Sequence, residues 1–326
     1  MVYTVKQETF ASVTKPWTTL LSNCKLDTVF FTPEWQSTWW QQFGEEGDLC
    51  LLGVWRDSLL EGLAPLVLNN KTLKFIGDTD LVDYHDFLIT DGKEEQICSS
   101  IFGYLDQLDW DTCDLRSVPE TSGILTWLPK LAQAQNYRVT MEKEDVSPGT
   151  QLPATWDQYL DNLTKKNRHE LRRKLRRLEN SGHVITSSIR DPQYLPDALN
   201  DFFSLLRKSR TTDKADFLTP EREGFFQSIA QNLSESGLFS LFFLEFESHR
   251  VAATICFDYK KTRFLYNSGY DPEYNRLSVG LILKALCLKD AIAQDMQYFD
   301  FLRGPEAYKY DLGGKDTTIY RLLIQR

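Results

Sequence analysis

The chain has 326 residues, a formal net charge of -9 and 42% hydrophobic residues. This length exceeds that of one ordinary domain, so we expect two domains or one large double unit. No apolar run approaches the ~18 residues needed to cross a bilayer, which argues against a membrane protein. The acidic balance argues against a protein that coats nucleic acid, although it permits a local basic site.

The first residues show neither the basic nor the apolar segment of a secretory signal, so we expect a cytoplasmic protein. The cysteines are scattered without a CxxC pair, which predicts reduced thiols in the core and no metal site or disulfide. They are Cys24, Cys50, Cys98, Cys113, Cys256 and Cys287.

Residues 1–150 predict helices and strands in mixed order. Thr32-Pro33-Glu34 is a typical helix start, and residues 49–68 predict two strands joined by a tight turn. Further elements are predicted in the order strand 73–77, strand 87–90, helix 94–108, strand 112–117 and helix 123–135. His85 and Asp86 form a base-and-carboxylate pair by sequence, but neighbours on a strand point to opposite faces, which disfavours a catalytic role. The polar stretch 141–153 is predicted to be a crossover.

The segment 165–177 is the most basic part of the chain, with eight Lys or Arg in thirteen residues. Leu171, Leu175 and Leu178 form one apolar stripe of a helix, so basic residues cover its other faces. Three interpretations stay open: a solvated amphipathic helix, a nucleic-acid contact, or recognition of an anionic substrate or of cofactor phosphates.

Residues 191–236 predict two helices, over 194–210 and 220–233. Between them, Arg207 to Lys214 is interpreted as a solvated linker, with a loop near the functional site as the alternative.

The last part of the chain, 264–314, predicts strand, turn, helix, strand and polar loop. Asp271-Pro272 breaks the first strand, and the turn 275–280 leads into an apolar helix over 281–293. The free N–H groups at such a helix start suit a phosphate or pyrophosphate, and Arg276 can add a full positive charge. The second strand opens into a polar loop over 303–313, where open α/β sheets bind ligands.

Charge is unevenly distributed along the chain. Residues 1–150 carry 11 Lys and Arg against 23 Asp and Glu, whereas residues 151–326 carry 26 against 23. We therefore expect anion binding in the second half.

The last stretch resembles the GNAT superfamily of acyl-CoA N-acyltransferases. The resemblance is to the branch with two such halves per chain, which includes CelD-type cellulose-biosynthesis acetyltransferases and Fem-type aminoacyl ligases. It is carried by the order and spacing, over about fifty residues, of Tyr266-Asn-Ser-Gly-Tyr270, Ser278-Val-Gly280, Phe299-Asp-Phe-Leu-Arg-Gly304 and Tyr308-Lys309. The chain departs from the family in having Arg276-Leu-Ser-Val-Gly280 where a run of two or three glycines is usual. It also lacks the long charged helical hairpin of Fem-type ligases, which lowers the expectation of an aminoacyl-tRNA donor.

Parts of this order occur twice. The segments that begin at Gly53 and Cys113 correspond to those that begin at Glu245 and Phe299, about 190 positions later in both cases. The expected fold class is α/β, with a mixed sheet and a tandem pair of GNAT-like folds over 1–150 and 151–326. Because residues 86–95 are acidic, only the second half is expected to bind the acyl donor.

The resemblance implies an acetyl-CoA or other acyl-CoA co-substrate and specific site residues. Asp300 and Glu306 are candidate general bases, and Tyr308 or Tyr270 is a candidate proton donor to the thiolate. Asp300 has the alternative of capping or pairing with Arg303, and Lys309 that of pairing with Glu306. The predicted donor-binding residues are Arg276, Leu277, Ser278, Val279, Gly280 and Leu281. The predicted acceptor-binding residues are Arg303, Lys309, Arg172 and Arg173.

The leading hypothesis is an acyl-CoA-dependent N- or O-acyltransferase acting on a small polar acceptor such as an amino sugar, a polysaccharide precursor or an amino compound. One alternative is a Fem-like ligase that takes its aminoacyl group from tRNA. The other is a non-catalytic binding subunit with a degenerate fold.

Overall fold

A computed structural model describes residues 3–209 and 217–326. The chain divides into two compact units, Met1–Val146 with Thr317–Arg326, and Ser147–Asp316. This division differs from the expected 151–326 at its C-terminal end, because the last strand pairs with a strand of the first unit. The part of the predicted linker over 210–214 lies outside the described residues.

The first unit is a mixed sheet with helices packed on it. Its strands lie in the order β1-β2-β3-β4-β6-β13, with β5 beside β3. Its elements are β1 Thr4–Gln7, α1 Phe10–Leu21, α2 Pro33–Phe43, β2 Asp48–Arg56, β3 Leu59–Asn69, β4 Thr72–Phe75, β5 Leu88–Ile89, α3 Glu94–Leu105, β6 Thr112–Pro119, α4 Ile124–Ala134 and β13 Lys315–Gln325.

Strand β7 runs over Arg138–Gln151, and the division of the chain falls within it. The second unit orders its strands β7-β12-β11-β10-β9-β8. Its other elements are α5 Trp156–Asn162, α6 Lys165–Glu179, β8 Val184–Ile189, α7 Leu195–Ser209, α8 Pro220–Glu235, β9 Phe239–Phe246, β10 His249–Tyr259, β11 Thr262–Tyr270, α9 Val279–Ala293, β12 Tyr298–Asp300 and α10 Ala307–Asp311.

The division between the units falls within the predicted crossover over 141–153, but most of this segment is the long strand β7. Its charged side chains are largely exposed, which made the segment look like a loop. Pro148 has no N–H for a ladder, but its carbonyl accepts from the N–H of Phe301 at 2.9 Å. The following residues, 149–151, pair with β12.

The two units repeat one chain path. In each, two hairpins are followed by a helix and by a strand that pairs in parallel with the last hairpin strand: β4 with β6, and β11 with β12. The tight turn at Asn70–Lys71 recurs about 190 positions later at Lys260–Lys261, and all four residues have positive φ, as such hairpin turns require. The predicted duplication of the fold is therefore confirmed.

Each unit has its own buried core. In the first, α3 and α4 pack on the sheet through residues such as Ile101 and Leu128. In the second, α9 contributes a nearly continuous apolar surface that includes Ile282 and Leu288. Five of the six cysteines are buried and Cys24 is half-buried, all as free thiols. No helix in the described ranges is long and apolar enough to cross a membrane.

Candidate functional site

A wedge-shaped opening lies between two neighbouring strands of the second unit. β11 and β12 pair only over Thr262–Phe264, and β12 then ends at Asp300 while β11 continues to Tyr270. The register between β10 and β11 shifts at Ile255/Cys256, so Tyr266 forms a bulge in β11. Beyond Phe264, β11 no longer pairs with β12, which opens the side of the strand that faces β12.

A helix start faces this end of β11. A short 3-10 helix, Pro272–Leu277, leads to Ser278, which has a left-handed backbone (φ 58°) and precedes α9. The Ser278 side chain does not cap the helix, and no acidic residue lies in its first turn. The first N–H groups of α9 thus keep their partial positive charge for an external anion. Arg276 is exposed in the same turn.

A residue of the basic helix α6 supports this turn. Nη2 of Arg177 donates to Oγ of Ser278 at 2.9 Å. Nε of Arg177 is buried and has no hydrogen-bond partner among the described residues. A guanidinium therefore lies beside the free N–H groups of α9, where a phosphate could satisfy both.

Gly280 allows α9 to approach β11 closely. A Cβ at this position would lie 3.0 Å from Cδ1 and 3.2 Å from Cγ of Tyr270. Tyr270 is half-buried against the first turn of the helix. Of the predicted donor-binding residues, Leu277 and Val279 are buried, so they can contribute through the backbone only.

The loop after β12 is held by a buried lysine. Nζ of Lys309 donates to the carbonyls of Leu302 (2.7 Å), Arg303 (2.7 Å) and Gly304 (3.0 Å), and it pairs with Glu306 at 2.9 Å. Because its side chain is only 2% exposed, this geometry favours a structural role for Lys309 over the predicted contact with an acceptor.

Asp300 is buried at the end of β12. Its Oδ1 accepts from the backbone N–H of Leu302 at 2.8 Å and from the hydroxyl of Ser147 at 3.4 Å. Leu302 has a positive φ of 61°, so the carboxylate stabilises a strained turn. This supports the alternative that Asp300 shapes the backbone, while the pairing with Arg303 stays a prediction.

The remaining predicted chemical groups lie on or beside α10. Glu306 precedes the helix with a side chain that is 51% exposed, which leaves it accessible to an acceptor. The ring of Tyr308 packs edge-on against Phe301, with 6.4 Å between centroids. Nζ of Lys284, from α9, lies 5.0 Å from the centroid of the Tyr308 ring. The ring of Tyr308, a residue of α10, is therefore close to α9.

The predicted acceptor-binding arginines of α6 are exposed. Arg173 makes a two-pronged pair with Glu170 on the same helix, at 2.9 and 2.7 Å. Arg172 lines a separate groove of about 670 Å³ whose floor includes Trp156 and Leu160. The structure therefore does not bring Arg172 and Arg173 together at one site.

His85 and Asp86 of the first unit do not form a base-and-carboxylate pair with each other. The His85 ring stacks on Phe75 at 5.2 Å, and its Nδ1 lies 3.2 Å from the carbonyl of Arg116. Asp86 accepts from the Ser122 hydroxyl and from the backbone N–H of Phe87. Burial raises the pKa of Asp86 to about 7. Among the described residues, no cluster of His, Cys, Asp and Glu has the geometry to hold a metal ion.

The helix start, the strand opening and the bulge lie within a segment that matches a known family. Residues 165–310 match a family model described as an acetyltransferase (GNAT) domain. The predicted resemblance to the GNAT superfamily is confirmed. No significant match to a curated protein sequence was found.

Solved structures show the same fold along the whole chain. FemX superposes with a TM-score of 0.66 at 11% identity, covering 98% of this chain and 96% of its own. The C-terminal domain of a putative lysylphosphatidylglycerol synthetase from Agrobacterium fabrum gives 0.61 at 10%, with 98% and 92% covered. A tandem GNAT protein from the clavulanic acid biosynthesis pathway gives 0.54 at 12%, with 98% of each chain covered.

Two side chains of this site were missed by sequence reasoning. Arg177 lies in the basic helix, but its contact with Ser278 spans 101 positions. Lys284 interrupts the apolar helix α9 and is only 7% exposed, so its burial is visible only in the fold. In the sequence, the signal for Lys284 was a charged residue within the apolar run at the start of the helix.

Proposed function

We propose that the chain is an acyl-CoA-dependent N- or O-acyltransferase, with an acetyl donor as the first expectation. The observation that carries this proposal is the uncapped start of α9, with Ser278 held by Arg177 beside the opening between β11 and β12. The acceptor would be a small polar compound such as an amino sugar, an amino compound or a precursor of a polysaccharide such as cellulose. A cytoplasmic location is part of the same proposal.

The charges at this turn suit the phosphates of coenzyme A. The N–H groups of Val279, Gly280 and Leu281 supply the positive end of the helix dipole, and Arg276 and Arg177 add full charges on either side of Ser278. The pantetheine arm would then lie in the opening between the strands. The backbone of β11 beside the bulge would hold the thioester carbonyl.

Acyl transfer requires a base for the acceptor and a proton for the thiolate. Glu306 is the better placed of the two proposed bases, because it is half-exposed whereas Asp300 is buried and binds a backbone N–H. Tyr308 is preferred to Tyr270 as the proton donor, because Tyr270 packs against the first turn of α9. Loss of one such group would cost ~10² to 10⁴ in rate.

Titration calorimetry with acetyl-CoA tests the donor. We expect micromolar binding by the wild type, and at least tenfold weaker binding, or ~1.4 kcal/mol, by Arg276→Glu and Gly280→Asp. The matched control is Lys261→Glu, which makes the same change of charge at the opposite end of β11, where Lys261 pairs with the exposed Asp295. Failure of the folded wild type to bind would contradict the acetyl-CoA proposal.

We expect the first unit to lack a donor site. The equivalent helix α3 carries Glu94 and Glu95 in its first turn, which neutralise the positive end of the dipole and repel phosphate. Its flanking residue Lys93 pairs with the buried Glu61 at 2.6 Å. One equivalent of acetyl-CoA per chain is therefore expected in the same titration.

A second candidate, an aminoacyl-tRNA-dependent ligase, is favoured by the groove between α5 and α6. Lys165, Arg172 and Arg176 line it together with Glu179, and none of these three basic side chains has a carboxylate within 4 Å among the described residues. Trp156 offers a ring on which a base could stack. Salt-sensitive tRNA binding that Arg172→Glu abolishes, with no binding of acetyl-CoA, would favour this candidate. A folded protein that binds neither acyl-CoA nor tRNA would favour a non-catalytic subunit.

A further inference from the structure

A buried lysine lies inside α9, one turn beyond the proposed phosphate turn. Lys284 is 7% exposed, and its Nζ has one long hydrogen bond, 3.4 Å to the carbonyl of Gly280. Nζ also lies over the Tyr308 ring, 5.0 Å from its centroid. Within the described ranges no carboxylate lies within 4 Å of this ammonium.

Burying an ammonium with so few partners is unfavourable. Desolvation lowers the pKa of Lys284 to about 8, helped by the nearby charge of Lys309 and opposed by Glu306, Cys256 and Cys287. At neutral pH the group is thus still largely charged, although it lacks an anionic partner.

Packing of the helix on the sheet does not require a lysine. The equivalent helix α3 of the first unit buries only apolar side chains, namely Ile97, Cys98, Ile101, Phe102 and Leu105. In α9, Lys284 is a charged residue among buried side chains that are otherwise apolar, and its burial is energetically unfavourable. This contrast points to a function that needs a positive charge.

The position of Lys284 suggests what that charge serves. Gly280 and Tyr270 mark the end of the opening next to the phosphate turn, and Tyr308 marks α10. Nζ of Lys284 contacts both ends of this path, since it reaches the carbonyl of Gly280 and the ring of Tyr308. A group that extends from the phosphate turn to Tyr308 would therefore pass this ammonium.

We propose that Lys284 receives the thiolate of coenzyme A during acyl transfer, an inference that rests on the proposed function. The acceptor nitrogen or oxygen forms a bond to the thioester carbonyl carbon and loses its proton to the base. The carbon–sulfur bond breaks, and its electron pair passes to sulfur. The Lys284 ammonium stabilises this negative charge until Tyr308 donates a proton to the sulfur.

A spectroscopic titration of bound coenzyme A tests this role without an acceptor. The thiolate absorbs short-wavelength ultraviolet light much more strongly than the thiol, and S-methyl-coenzyme A, which cannot ionise at sulfur, provides the reference. A thiol ordinarily titrates near 8.5, and a nearby cation lowers this value. We expect the thiol bound to the wild type to titrate at least about one pH unit below free coenzyme A.

Three variants give the comparison. Lys284→Met should abolish the shift while coenzyme A still binds in calorimetry, and Lys284→Arg should restore it. The control Lys289→Met removes an exposed lysine of the same helix and should match the wild type. A shift that survives in Lys284→Met, or bound coenzyme A without a shift in the wild type, would overturn the role of Lys284 alone. No binding of coenzyme A by the wild type would overturn the proposed function as well.

Discussion

The contact between Arg177 and Ser278 gives the sharpest prediction about the donor site. Arg177→Met keeps the aliphatic length of the side chain but removes the guanidinium that donates to Ser278 at 2.9 Å. A hydrogen bond to a charged group contributes ~1.5 to 3 kcal/mol, and partial exposure reduces this value. We therefore expect acetyl-CoA to bind about tenfold more weakly, equivalent to ~1.4 kcal/mol.

The control is Arg176→Met, because Nε of Arg176 donates only to the carbonyl of Arg172 on the same helix. Calorimetry on Arg177→Met, Ser278→Ala and the double variant then separates two mechanisms. If Arg177 acts by holding Ser278, the double variant should lose little more than either single one. If both contact the donor independently, their effects should add. Wild-type affinity in Arg177→Met would refute the assignment of this turn.

Three further predictions concern stability. Arg263→Met should lower the free energy of unfolding in urea by ~3 to 5 kcal/mol, because the carboxylate of Asp258, 2.6 Å from Arg263, loses its buried partner. A loss below ~1 kcal/mol would contradict this prediction. The pKa of Asp86 is raised to about 7, so its protonated carboxyl contributes stability at low pH that is lost as the pH rises through 7. Asp86→Asn should remove roughly 2 kcal/mol of the decline in unfolding free energy between pH 5 and 8. Parallel plots of unfolding free energy against pH for the variant and the wild type would argue against this. Gly269→Ala should destabilise the fold, because its Cβ would lie 2.3 Å from the backbone of α7. Gly103→Ala, in open space on α3, should instead stabilise the fold by up to ~1 kcal/mol. Equal thermal midpoints for the two variants would contradict this prediction.

Local signals in the sequence predicted much of the fold. The hairpin around Asp57 and the helix start at Thr32 follow from turn and capping chemistry that acts over a few residues, and both are present. β7 was missed because its pairing is non-local and Pro148 interrupts the strand pattern. The position of β13 in the first unit also depends on partners far away in the chain, at β6.

The site was only partly predictable, because its residues combine local and distant contacts. The break at Asp271-Pro272 and the apolar pattern after it predicted a helix over 281–293, and in the structure α9 begins two residues earlier, at Val279. The burial of Lys309 under three carbonyls of its own loop could not be read from composition. Its charge favoured a ligand contact, whereas the fold uses that charge within the protein.

The differences between the two copies point to site residues that local signals do not show. Because both helices pack on a sheet in the same chain path, packing alone requires the same kind of residue in each. A charged residue that occurs in only one copy therefore needs a functional explanation. The first turn of α3 contains Glu94 and Glu95, whereas the first turn of α9 follows the uncapped Ser278 and has no acidic residue. The buried residues of α3 are all apolar, whereas those of α9 include Lys284. Both differences place positive potential at the same helix of the second unit. In a protein of net charge -9, it is this local arrangement, rather than the total charge, that makes an anionic donor the expected ligand.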